Sequence, residues 1–212
     1  MMEAKFRRLP TVLLLSASLA AATSVEALQI DYANTVGSSI NFDGLGNFSF
    51  APLGDNFAVT GGSAAGLLGE ITGTYSIGAI TTIGIVSSAP VTGSGLFVIH
   101  DGSATLSATL NWVDILQVGA GNILNDSGVV SLTGITYGGS NPDLLALASA
   151  GSAANVLTFQ FIPPVSLSTL AGSPNATSFS GSISTVPDGG ATVALLGFVL
   201  VGVEGLRRRI MR

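Results

Sequence analysis

Cysteine is absent from this 212-residue chain, which excludes disulfides and thiolate metal sites. Stability must come from packing and hydrogen bonds. Basic residues are almost as scarce, and all seven lie at the two ends: Lys5, Arg7 and Arg8, then Arg207, Arg208, Arg209 and Arg212. Between Leu9 and Leu206 there is no Lys or Arg. No basic footprint is left to neutralise phosphates, so nucleic acid is excluded as a partner. From Leu28 to Val186 the ionisable groups are Asp31, Asp43, Asp55, Glu70, Asp101, Asp114, Asp126, Asp143 and the lone His100. Positive charge here marks topology rather than a ligand.

What is present at the N-terminus has the three parts of a secretory signal. Lys5, Arg7 and Arg8 form the positive region, and Thr11 to Thr23 is apolar. Val25-Glu26-Ala27 then offers short residues where a signal peptidase reads. Cleavage is expected after Ala27, with Ala22 as the alternative. The apolar stretch is short for a span, which needs ~20 residues. The expected handlers are the Sec translocon and signal peptidase.

The C-terminus reads Val186-Pro187-Asp188-Gly189-Gly190, then an apolar run from Ala191 to Leu206, then Arg207-Arg208-Arg209. At ~1.5 Å per residue the run covers about 24 Å, a marginal transmembrane helix for a core of ~30 Å. Glu204 lies one turn from Arg207 and Arg208, which can partly neutralise it. The arginine cluster holds that end in the cytoplasm, so the inner membrane is a partner and the intervening body lies on the far side. The N-terminal signal demands the same orientation.

This tripartite tail resembles the VPDSG variant of PEP-CTERM sorting signals. Val186, Pro187, Asp188, Gly189 and Gly190 match position by position, with Gly189 where the family name has Ser, and Arg207, Arg208 and Arg209 match the basic tail. The resemblance covers about the last 27 residues. It implies a Gram-negative envelope and an exosortase, a membrane-embedded transpeptidase-like enzyme that removes the tail. The body would then be released or attached at the surface. Such proteins often occur in bacteria that make exopolysaccharide, which makes that polymer a candidate partner. A permanent anchor is the alternative.

Between the addresses the pattern is β. Leu28, Ile30 and Tyr32 alternate with Gln29 and Asp31; Leu106, Ala108, Leu110 and Trp112 alternate with Ser107, Thr109 and Asn111; Leu157, Phe159 and Phe161 alternate with Thr158 and Gln160. Period-2 runs bounded by Gly, Asn, Asp and Ser predict half-buried strands. Asp101-Gly102 is placed in a two-residue hairpin turn, and Asn125-Asp126-Ser127-Gly128 in a second turn. Asn141 and Pro142 predict the cap and first residue of a short helix ending near Ala150. The expected fold is all-β: one β-sandwich, jelly-roll-like in one form, of nine or ten strands with at most one helix. Residues 1–27 are assigned to the signal peptide, 28–185 to the body and 186–212 to the sorting signal. An outer-membrane barrel is the rival; the chain has no aromatic girdles and ends in a basic helix rather than a strand.

Chemistry is sparse. His100 precedes the Asp101-Gly102 turn without a Gly-x-Ser-x-Gly elbow. Glu70 and Asp114 are the candidate carboxylate pair, and pairing would require ~5–10 Å between them. Asp43 to Asn47 and Asn122 to Asp126 are oxygen-rich loops that would suit calcium or serve as ordinary turns. Trp112 with Tyr32, Tyr75 or Tyr137 could stack a sugar, but its periodicity puts it on the core face with Leu106 and Leu110. The expectation is a non-enzymatic, exported surface or matrix protein with no catalytic residues, metal ligands or cofactor. A carbohydrate- or calcium-binding envelope module is the second reading.

Overall fold

The structure is a computed structural model that describes residues 28–119 and 125–185, and only the backbone of Asn125, Asp126, Ser127 and Val129. In chain order the elements are β1 (Gln29–Asn34), β2 (Ser39–Asp43), β3 (Asn47–Ala51), β4 (Phe57–Val59), β5 (Leu68–Ile71), β6 (Thr74–Ile77) and β7 (Thr81–Ile83). Then follow β8 (Val86–Thr92), β9 (Ser94–Asp101), β10 (Ala104–Val118), β11 (Asn125–Thr136), α1 (Pro142–Ala150), β12 (Ser152–Phe159), α2 (Leu167–Gly172), β13 (Pro174–Thr177) and β14 (Phe179–Ser184).

Eight of these strands close on themselves in the order β10-β11-β12-β14-β1-β4-β5-β9 and back to β10, each pair antiparallel. The body is therefore a closed barrel with additional strands. It is not the β-sandwich expected from the sequence, and it has more strands than the nine or ten expected. Alternation reports that one face of a strand is buried; it does not report which strand lies beside it. The last strand, β14, decides the matter. It pairs with β12 on one side (Phe159 opposite Phe179) and with β1 on the other (Gln29 opposite Ser184), joining the first strand to the last.

Apolar side chains fill the barrel. Ile30, Tyr32, Phe57, Ile71, Phe97, Ile99, Leu106, Leu110, Leu132 and Leu157 are all buried, and the rings of Tyr32, Phe57 and Phe97 meet at centroid distances of 4.7 to 5.6 Å. Positions between them, such as Ser107, Thr109, Thr158 and Ser180, face out. This is the reverse of a lipid-facing barrel, whose apolar band points outward.

Strand β10 changes partners along its length. Ala104 to Asn111 pairs with β9 and Asp114 to Val118 with β8, with a register shift between Trp112 and Asp114. From β8 the sheet continues through β6, β3 and β2 to β13, while β7 pairs with β8. This second layer lies over one end of the barrel. Phe48 meets Trp112 at 4.7 Å, Phe50 meets Phe179 at 5.0 Å and Phe42 meets Phe159 at 5.7 Å.

Helix α1 covers the other end, with Leu144 and Leu147 buried beside β11 and β12. It starts as the sequence predicts: Asn141 caps it, accepting from the N–H groups of Asp143 and Leu144, and Pro142 follows. The second helix, α2, was not anticipated. Ser166 caps it, and Gln117 on β10 holds its entry by accepting from Leu167 N–H (2.9 Å) and donating to Val165 O (2.8 Å).

Two turns differ from expectation. The β9–β10 loop is Gly102-Ser103, with Asp101 still paired to Ala104; Gly102, at φ 58°, supplies the left-handed residue such a tight loop needs. Asn125 to Gly128 is the start of β11 rather than a turn. No helix among the described residues is long and apolar enough to cross a membrane. The expected transmembrane helix, residues 191–206, lies outside them.

Candidate functional site at the paired chain ends

The first and last described residues meet. β1 and β14 run antiparallel from Gln29 opposite Ser184 to Ala33 opposite Ser180. The pairing continues beyond both strands: Leu28 N–H donates to Thr185 Oγ1 (3.0 Å), and Thr185 N–H donates to Leu28 O (3.0 Å). Ala27, the expected signal-cleavage residue, precedes Leu28, and Val186, the first motif residue, follows Thr185. Ala27, Val186 to Gly190 and Arg207 to Arg209 themselves lie outside the described residues. Both addresses are nevertheless attached at one end of the barrel, the end that carries α1.

That end is tied by a polar lattice linking the β4–β5 loop, the β9–β10 turn and α1. Ser63 N–H donates to the Asp143 carboxylate, Ser63 Oγ donates to Asn141 Oδ1 (3.0 Å), and Asn141 Nδ2 donates to Ser63 O (3.0 Å). Tyr137 Oη donates to the Asp101 carboxylate and accepts from Asn141 N–H (3.0 Å). Desolvation, then the bond to Asp101, raises the Tyr137 phenol above its ordinary value. Asp31, on the outer face of β1, is lowered by hydrogen bonds from Gln29 and Ser182. Asp31, Asp101 and Asp143 give this end a negative surface, with no Lys or Arg among the described residues to offset it.

The other candidates are scattered. His100 faces Asp55, with Nε2 to Oδ1 at 3.6 Å and both side chains half-exposed; Asp101 is engaged by Tyr137 instead. Glu70 accepts from Gly54 N–H (3.1 Å). It is in register with Val98, which is in register with Ser107, so Asp114 lies roughly 20 Å further along β10 at ~3.3 Å per residue. The two carboxylates do not form a hydrolytic pair. Asp43 turns inward on its own loop: Oδ1 accepts from the N–H groups of Leu45 (2.7 Å) and Asn47 (2.9 Å), and Oδ2 accepts from Asn47 Nδ2 (2.9 Å). These donors, the Asn47 amide first, lower its pKa and engage both of its oxygens within the loop. Most of the Asn122 to Asp126 loop lies outside the described residues. Among the described residues no three His, Asp or Glu side chains gather as a metal site.

Trp112 is buried, stacked among Phe48, Phe50 and Tyr75, and donates Nε1–H to Asp114 O (2.6 Å). Tyr32 and Tyr75 are buried too. The aromatic residues thus belong to the core, as the periodicity of Trp112 implies. Sequence reasoning missed the Leu28–Thr185 clasp, because only strand pairing brings the two ends together.

Residues 185–210 match the family model of the VPDSG-CTERM motif. The chain carries a VPDSG-CTERM sorting motif. The match begins at Thr185, immediately after the last residue of the barrel's closing strand, and spans Val186 to Gly190 and Arg207 to Arg209. No curated protein and no solved structure matches the chain. The VPDSG-CTERM motif marks an exported protein of a Gram-negative-type cell, sorted by its C-terminal signal, and implies processing by exosortase-like machinery.

Proposed function

We propose that this VPDSG-CTERM protein is a non-enzymatic component of the cell surface or extracellular matrix. A signal peptide ending at Ala27 directs it through the Sec route. Residues 191–206 then hold it in the inner membrane, with Arg207, Arg208 and Arg209 on the cytoplasmic side. An exosortase-like transpeptidase cuts within Val186 to Gly190 and sends the barrel outward, to release or attachment among exopolysaccharide. The observation that carries this reading is the motif match at 185–210 starting where the barrel ends. The scatter of the carboxylates and the self-satisfied Asp43 loop support a structural role for the body.

Once the tail is gone, the body has eight carboxylates and no Lys or Arg. An anionic leaflet repels such a surface and does not retain it. The test is mass spectrometry of the major species in envelope and medium fractions. A C-terminus inside residues 186–190, dependent on the exosortase-like enzyme, is expected. A major species still carrying Arg212 would reduce the tail to a permanent anchor. Unaltered partitioning in a strain without exopolysaccharide would remove that polymer as a partner.

A further inference from the structure

The geometry points to a second task for the folded barrel: it shields its own sorting motif from soluble proteases and leaves it open to a membrane-embedded one. The inference rests on the anchoring reading above. Strand β14 is hydrogen-bonded on both sides up to Ser184, to Ala154 of β12 and Gln29 of β1. Thr185 is held in turn by its two bonds to Leu28. A protease that binds its substrate as an extended strand needs unpaired N–H and C=O groups. Through Ser184 the strand is paired on both sides, and the Thr185 N–H is also taken, so reaching these groups means opening the barrel at the seam between its first and last strands.

Only Val186 to Gly190 separate Thr185 from Ala191, the first residue of the apolar run. At ~3.4 Å per residue that path reaches at most about 20 Å when fully extended. The α1 end of the barrel is thus kept within that distance of the bilayer while the tail is in place. A soluble protease of some 250 residues is roughly 45 Å across, and its cleft would have to work between two surfaces closer than its own width. An active site at or below the headgroup plane needs no such clearance. The shortness of this five-residue connection therefore acts as a specificity element, selecting the location of the enzyme that can cut.

The test uses the full chain reconstituted in liposomes with the body outward and a soluble endoprotease that cuts after Asp or Glu, for which Asp188 is the motif target. The comparison variant carries a Gly-Ser insert of about 15 residues between Thr185 and Val186, adding roughly 50 Å of reach and no new cleavage site. Folding of both is checked by the emission of Trp112. Cutting at Asp188 is expected to accelerate by an order of magnitude in the insert variant, with the wild-type chain resistant. Equal rates, or a wild-type chain cut faster, would overturn the shielding while leaving the anchoring intact. A chain that fails to float with the liposomes would overturn the anchoring and this inference together.

Discussion

The ring of Tyr32 lies across the α-carbon of Gly181, its directly paired neighbour on β14. A Cβ at Gly181 would collide with Tyr32 Cζ and Oη. Gly69 lies likewise beneath its paired neighbour Phe57, and Gly128, paired with Ile115, lies beneath Trp112. None of the three has a positive φ, so they are required for space rather than for backbone freedom. Gly181→Ala should destabilise the barrel by about 1–3 kcal/mol or more, as overpacking does. Tyr32→Leu in the same chain should recover part of that loss. Urea unfolding followed by the emission of Trp112, the chain's one tryptophan, measures both; additive losses would argue against the steric account.

Tyr32 also donates Oη–H to Asn155 Oδ1 (3.0 Å), deep inside the barrel, while Asn155 Nδ2 has no partner. Removing either member alone leaves the other unpaired in a dry interior, at roughly 1–3 kcal/mol. Replacing both, as Tyr32→Phe with Asn155→Leu, should cost less than either Tyr32→Phe or Asn155→Ala alone. A double variant less stable than both singles would mean the pair is worth more than its desolvation.

Burial raises the phenols of Tyr32 and Tyr75 far above their ordinary value of 10.0. A folded pKa above the unfolded one means that the fold favours the neutral phenol. The corresponding stability is complete below pH 10 and is lost as pH rises past 10 towards the folded values. Urea midpoints should fall steeply on the alkaline side of pH 10. Tyr75→Phe should flatten that fall; an unchanged slope would place the alkaline sensitivity elsewhere.

Asp43 titrates in the opposite sense. Its folded pKa lies below 3.8, held down by the Asn47 amide and then by the N–H groups of Leu45 and Asn47. Its contribution is present above pH 3.8 and lost as pH falls through the lowered value. Asn47→Ala should move the Asp43 pKa back towards 3.8 in the folded chain, read by carboxylate NMR. A titration identical to wild type would show that the side-chain amide is not the main donor.

Local sequence patterns were enough to set the strand faces, the cap of α1 at Asn141 and Pro142, the burial of Trp112 and the sorting motif. Each of these depends on neighbours a few residues apart. A repeat of two residues fixes which side chains share a face, and a cap fixes only its own turn. The tertiary structure alone decided that β14 enters between β12 and β1, that Gly69, Gly128 and Gly181 sit under aromatic rings, and that Leu28 clasps Thr185. Sandwich and barrel require the same alternation along each strand and differ only in which distant strands hydrogen-bond. Whether the sheet closes, and with it where both chain ends emerge, is settled by contacts between residues more than a hundred positions apart, which no local pattern encodes.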